Sequence, residues 1–126
     1  MPNLMSVFLI DDEMLFVESL TKVLRKREMA IKSAHSGVEA LDILAAETFD
    51  VIVLDIKMPG MDGVTTLKVI RDMGITTPVI ILSGHMDIEC VSEVLKMGAT
   101  ELLLKPCDVE TLVSTIENAH ERMTTV

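Results

Sequence analysis

An α/β fold, an open five-stranded parallel sheet doubly wound with five helices, follows from three features of this 126-residue chain. The first is a set of short apolar runs that stop abruptly: Val7–Ile10 before Asp11-Asp12, Val51–Leu54 before Asp55, Val79–Leu82 before Ser83, and Leu102–Leu104 before Lys105-Pro106. Runs of this length read as strands buried on both faces. The second is helix-like periodicity between the runs. The third is their strict alternation, which right-handed crossovers convert into helices on either side of one sheet.

The elements can be taken in order. The spacing predicts a first helix from about Glu13 to Arg27, with Phe16, Leu20, Val23 and Leu24 as its inward stripe. Strand two, Ala30 to His35, is less apolar than the others and suits a sheet edge. Ser36-Gly37-Val38-Glu39 has the form of a capping box, and the helix it opens is expected to bury Val38, Leu41 and Leu44 with Ala45 beside them. After strand three, Ile56-Lys57-Met58-Pro59-Gly60-Met61-Asp62-Gly63 is a loop by its proline and glycines. A third helix, Val64 to Met73, presents Val64, Leu67 and Ile70 inward and stops at Gly74. The helix after strand four carries Ile88, Val91 and Leu95 as its apolar set, ahead of Gly98. Asp108 is placed to cap a last helix whose inward residues are Val109, Leu112, Ile116 and Ala119.

Five strands in this pattern suit the flavodoxin-like order 2-1-3-4-5, whose switch point lies between strands one and three. Ligands gather there, beyond the carboxyl ends of the strands. Asp11, Asp12 and Asp55 end those two strands, so topology and chemistry indicate one place.

Composition narrows the function. Residues 1–126 fit one domain, and 49% apolar with 25% charged residues is an ordinary globular balance. A net charge of −9 disfavours direct contact with nucleic acid or an anionic membrane, and three phenylalanines with no Trp or Tyr leave little for base stacking. No apolar run is long enough to span a bilayer, and Met1-Pro2-Asn3-Leu4-Met5 has no signal-peptide form, so the default compartment is cytoplasmic. Cys90 and Cys107 lack metal or redox spacing and read as reduced structural thiols.

Carboxylates crowded at one sheet edge repel unless a cation or proton intervenes. Mg²⁺ is the natural remedy, since it prefers one or two carboxylates, retained waters and phosphate oxygens. No His or Cys accompanies the acids in zinc-like spacing. Lys105 and Ser83 supply the complementary half, an ammonium and a hydroxyl suited to the equatorial oxygens of a transferring phosphoryl group. Asp55, central and followed by a loop, is the best candidate nucleophile for an acyl phosphate. Asp11 and Asp12 would hold the metal.

Together these residues resemble the receiver domain of two-component response regulators, of the chemotaxis-regulator type. Asp11-Asp12, Asp55 with Met58-Pro59-Gly60-Met61-Asp62-Gly63, Ser83, Gly98-Ala99 and Lys105-Pro106 carry the likeness across essentially the whole chain. The resemblance implies that the domain catalyses its own phosphorylation at Asp55 from a phosphohistidine on a sensor histidine kinase or phosphotransfer protein, and its own dephosphorylation there. It implies Mg²⁺ held by Asp12, Asp55 and the backbone carbonyl of Lys57, with Asp11 acting mainly through water. It also implies a cis Lys105-Pro106 bond, Ser83 and Lys105 on the phosphoryl group, and output through the fourth helix, fifth strand and last helix. That output serves a downstream effector or a fused output domain, and a phosphorylation-dependent homodimer is a further partner the family allows. Glu13 fits the variable third acid, and Lys57 and His85 fill positions that tune acyl-phosphate lifetime.

Two positions depart from the pattern. Leu102 stands where receivers usually carry an aromatic switch residue, so the usual ring rotation cannot operate, and Cys107 replaces a common aromatic. Met58, Met61 and Met86 flank the site as a candidate contact surface, while His35 and His120 are expected to lie away from it. The rival readings are a pseudo-receiver that binds protein without being phosphorylated, an aspartate-nucleophile phosphatase and a flavin carrier. The phosphatase is disfavoured by Lys57 where a second acid is expected, and the flavin carrier by the lack of a phosphate loop after strand one. No effector segment such as a helix-turn-helix is read in the chain up to Val126.

Overall fold

The computed structural model describes residues 4–124, so the Met1–Asn3 part of the leader reading lies outside it. The order is β1 (Met5–Ile10), α1 (Met14–Lys26), β2 (Met29–Ala34), α2 (Gly37–Leu44), β3 (Val51–Leu54), α3 (Gly63–Asp72), β4 (Val79–Ser83), α4 (Ile88–Lys96), β5 (Glu101–Leu104) and α5 (Val109–Thr124). All strand pairs are parallel, in the order β2-β1-β3-β4-β5. Among the described residues no helix is long and apolar enough to cross a membrane.

Because successive strand residues point to opposite faces, each apolar run feeds two cores. Phe8, Ile10, Ile52, Leu54 and Ile81 pack with Ala40, Leu44, Leu67, Ile70 and Val94 from α2, α3 and α4. Val7, Leu9, Val53, Ile80 and Leu82 pack with Val17, Leu20, Leu24, Leu112 and Ile116 from α1 and α5. At about 1.5–3 kcal/mol for each fully buried large aliphatic side chain, these two layers dominate the stability.

Register then delivers the strand ends to one edge. Ile10 lies opposite Leu54, and the Asp55 N–H donates to the Ile10 carbonyl at 2.9 Å. Ser83 lies opposite Leu104, and the Lys105 N–H donates to the Ser83 carbonyl at 2.9 Å. Lys105-Pro106 is cis.

Several helix faces differ from the sequence reading. In α1, Leu20 and Leu24 are buried but Val17 joins them, while Phe16 and Val23 sit half-buried at the rim. In α2 the buried positions are Gly37, Ala40 and Leu44, and Val38 and Ala45 face solvent. The cause is Gly37, where an added Cβ would come within 2.3 Å of Thr66 Oγ1. Such close approach of α2 to α3 turns the glycine inward and rotates Val38 away. Ser36 caps as expected, accepting from Glu39 N–H at 3.1 Å, but the Glu39 carboxylate accepts from His35 N–H rather than from Ser36.

In α3, Thr66 is buried beside Leu67 and Ile70, and Val64 is only half-buried. The largest difference is in α4. Ile88 is 88% exposed and Leu95 is also exposed; Val94 is buried, with Cys90 and Met97 packed against the core. Two apolar stripes, 88/91/95 and 90/94/97, run along this helix at helical spacing. The sequence offers both, and only packing selects the second.

Candidate functional site

Asp55 follows the last residue of β3 and is 3% exposed. Asp11 is equally buried at the end of β1, and Asp12 beside it is half-buried. Ser83, the last residue of β4, is fully buried. Lys105 follows β5 and reaches across the edge: its Nζ lies 2.7 Å from Asp11 Oδ2, 2.9 Å from Glu13 Oε1 and 3.8 Å from Asp55 Oδ2. The sequence-predicted Asp11, Asp12, Asp55, Ser83 and Lys105 therefore all meet at one edge.

The loop beyond Asp55 is pinned by two features. Asp62 caps α3, its carboxylate accepting from Thr65 N–H at 2.8 Å. Gly63 opens that helix against the strand end, where an added Cβ would come within 2.2 Å of the Asp55 carbonyl oxygen and 2.6 Å of Ile56 Cα. Only glycine permits that approach, and it is what holds the third helix against the backbone of Asp55.

Burial and like charge both act on the acceptor carboxylate. Burial, and then the facing Asp11 carboxylate, push Asp55 above the usual carboxylate range. Hydrogen bonds from Ser83 and the Lys57 backbone, together with the Lys105 charge, pull the other way without cancelling that push. Burial alone would lower the Lys105 ammonium, but hydrogen bonds to Asp11 and Glu13 and the charges of Asp11 and Asp55 leave it raised. Lys105 is thus a built-in counter-ion to the acids at this edge.

The donor set fits a small hard dication. Asp11, Asp12 and Asp55 each offer a carboxylate oxygen, all within 4.8 Å of one another. Two oxygens each about 2.1 Å from one Mg²⁺ lie up to about 4.2 Å apart, so the cluster is close to that span. Oxygen-only donors suit magnesium rather than zinc. The Lys57 side chain is exposed, with its backbone N–H on Asp55.

Some placements were not legible in the sequence. His35 does not lie away from the site: its ring Nδ1 is 3.3 Å from the Asp11 carbonyl oxygen, because β2 ends beside β1. Phe16 lies under Lys105, with Nζ 4.4 Å from the ring centroid, in cation–π contact. Of the methionines near the site, Met58 is buried and Met86 packs partly against the core, while Met61 is half-buried. Leu102, at the aromatic switch position, is half-buried against the same core as Ile81.

Residues 7–117 match the family model of the response regulator receiver domain. The chain belongs to that family. Among curated relatives, this receiver is 34% identical to the transcriptional regulatory protein ZraR of Escherichia coli K12 over 113 residues, covering 90% of this chain and 26% of that protein. The chain thus spans about a quarter of the length of the curated relatives it matches. Among solved structures, the receiver domain of the Francisella response regulator 1452 aligns at 32% identity with a TM-score of 0.87, covering 96% of this chain and 99% of that one. A Burkholderia pseudomallei response regulator, solved with a phosphorylated aspartic acid, calcium ion and citrate, aligns at 28% identity and a TM-score of 0.83 over 95% of this chain and 71% of that one.

Proposed function

We propose that this receiver accepts a phosphoryl group on Asp55 from a phosphohistidine of a sensor histidine kinase or phosphotransfer protein, in a Mg²⁺-dependent reaction. One observation carries the reading: a buried carboxylate at the end of the central strand is ringed by two further acids, an ammonium and a hydroxyl. The phosphorylated aspartic acid of the Burkholderia relative supports the same chemistry.

An Asp55 carboxylate oxygen attacks phosphorus, the P–N bond to the donor imidazole breaks, and that nitrogen takes up a proton. Asp11, Asp12, Asp55 and the Lys57 carbonyl would hold Mg²⁺, which would neutralise charge on the phosphoryl oxygens. Lys105 leaves Asp11 for a phosphoryl oxygen, and the Ser83 hydroxyl, which lies 3.3 Å from the His85 carbonyl oxygen and beside Asp55, turns to another. Burial of Asp55 keeps bulk water from the acyl phosphate. Lys57 and His85, both exposed at the mouth, set how readily a hydrolytic water enters.

Phosphorylation adds roughly −1.5 to −2 charges. The output is a shift of α4, β5 and α5, read by a downstream effector, a fused output domain or a second receiver, with residues 1–126 acting as one domain in the cytoplasm. Without an aromatic at position 102, the coupling runs through packing of Leu102 and the Ser83–His85 segment rather than a ring rotation.

Incubation with Mg²⁺ and acetyl phosphate, followed by intact-mass measurement, tests the reading. The wild type gains one phosphoryl group and Asp55→Asn gains none. Absence of any gain in the wild type would instead make the chain a pseudo-receiver.

A further inference from the structure

Lys105 is also held by the start of α1. Its ammonium donates to Glu13 Oε1 at 2.9 Å and lies over the Phe16 ring. Asp11 links the two ends of this arrangement. Its Oδ1 accepts the Glu13 backbone N–H at 2.9 Å, and its Oδ2 accepts from Lys105 at 2.7 Å. The ammonium is mostly buried, whereas the Glu13 side chain sits at the rim and is largely exposed.

This geometry poses a competition between cations. Lys105 occupies one oxygen of a carboxylate that also belongs to the divalent cluster of Asp11, Asp12 and Asp55. A dication drawing on Asp11 must displace the ammonium or share its oxygen, and a displaced, buried ammonium needs another anion nearby. Among the described residues, Glu13 is the anion outside the cluster that already touches it. We propose that Glu13 is a positioning residue, a second berth that keeps the Lys105 ammonium at the pocket rim when Mg²⁺ takes over Asp11. Phe16 forms the floor of that berth. The inference rests on the Mg²⁺ reading of the cluster and adds to it a role for the first turn of α1. A receiver without an acid here would leave its lysine competing with the metal for the same carboxylate.

A double-mutant cycle on the full chain tests it, with Mg²⁺ affinity read by calorimetry in wild type, Glu13→Gln, Lys105→Met and the double variant. Glu13→Gln weakens Mg²⁺ binding about threefold, the scale of a partly exposed ion pair. In the Lys105→Met background the same substitution changes affinity by a factor near one. An equal loss in both backgrounds would show Glu13 acting on the metal directly or through its general field, and would overturn the proposal. So would no loss in either. Failure of the wild type itself to bind Mg²⁺ would remove the metal reading and this inference with it, an outcome distinct from the other two.

A second readout spares Lys105. The Lys105 ¹³Cε resonance is followed with and without saturating Mg²⁺ in wild type and Glu13→Gln. With Mg²⁺ the wild-type resonance stays distinct from that of a free lysine, while in Glu13→Gln it moves to the free-lysine position. Identical Mg²⁺-bound positions in the two proteins would overturn the berth even if Lys105→Met failed to fold.

Discussion

Two cations sit at opposite ends of the sheet, and they are held in opposite ways. At the carboxyl end, Lys105 is bound by the carboxylates of Asp11 and Glu13 with Asp55 just beyond, partners that a metal ion or phosphoryl group can contest. At the amino end, Arg71 is bound by carbonyls alone: Nε to Met97, Nη1 to Ile75 and Thr77, and Nη2 to Gly98, all at 2.9–3.1 Å. Those carbonyls come from the end of α4 and from the α3–β4 connection. Neutral carbonyls attract a competing cation less strongly than carboxylates do. One end of the molecule is therefore exchangeable and the other fixed, and α4 lies between, its C-terminus tied to Arg71 and its N-terminus following the Ser83–Met86 segment.

Predictions that probe the contrast run from large to small. Asp55→Asn abolishes phosphoryl uptake and raises the stability of the metal-free protein. Folding raises the Asp55 pKa above its ordinary value of 3.8. The protonated form is thus favoured in the folded state, and stability is lost as pH climbs through the folded value. Thermal melts without metal should accordingly coincide below about pH 3.8, and the Asp55→Asn protein should gain its advantage as pH rises from there through the raised value, keeping it above. Melts that diverge in the opposite direction would mean that Asp55 is not strained by its neighbours.

Arg71→Ala strips four carbonyls of a charged donor and should cost about 2–3 kcal/mol in urea unfolding, the scale of hydrogen bonds to a charged group. Phosphoryl uptake should survive at the other end of the sheet. Equal damage to uptake and stability would show that the ends are not independent. Gly63→Ala should cost roughly 1–3 kcal/mol through overpacking against the Asp55 carbonyl. Because it also shifts the loop beside the acceptor, it should slow phosphorylation, which Arg71→Ala does not. Smallest is Ser36→Ala, which removes the α2 cap, a hydroxyl bonded to the Glu39 N–H and not to the acidic cluster, and should cost about 1 kcal/mol with uptake unchanged.

How much of this could be read from the chain differs between the same two ends. The carboxyl end was legible because each strand stops on a residue whose chemistry is costly to bury without a purpose: Asp11, Asp55, Ser83 and Lys105. Strand order then brought them together. The amino end was not, because Arg71 looks like any exposed helix arginine, and its four acceptors are backbone atoms that leave no trace in a sequence. The inward face of α4 was misread for a related reason. Val94 and Leu95 are adjacent apolar residues belonging to rival stripes, and only the approach of α4 to the sheet decides between them. His35 and Phe16 are intermediate. Their contacts at the site arise from the adjacency of β1 and β2 and from the first turn of α1, which spacing alone does not resolve.

The exposed Ile88, Leu95 and Leu104 then acquire a meaning that composition could not give them. They lie on the α4–β5 face, between the exchangeable pocket and the fixed clamp.

The most direct measurement is to locate the phosphoryl group chemically. After incubation with acetyl phosphate, borohydride reduces an aspartyl phosphate to homoserine, which peptide mass spectrometry assigns to a position. Homoserine at position 55, formed with Mg²⁺ and absent when the metal is chelated, is the predicted result. Homoserine at position 11 or 12, or equal yield at position 55 without metal, would contradict it.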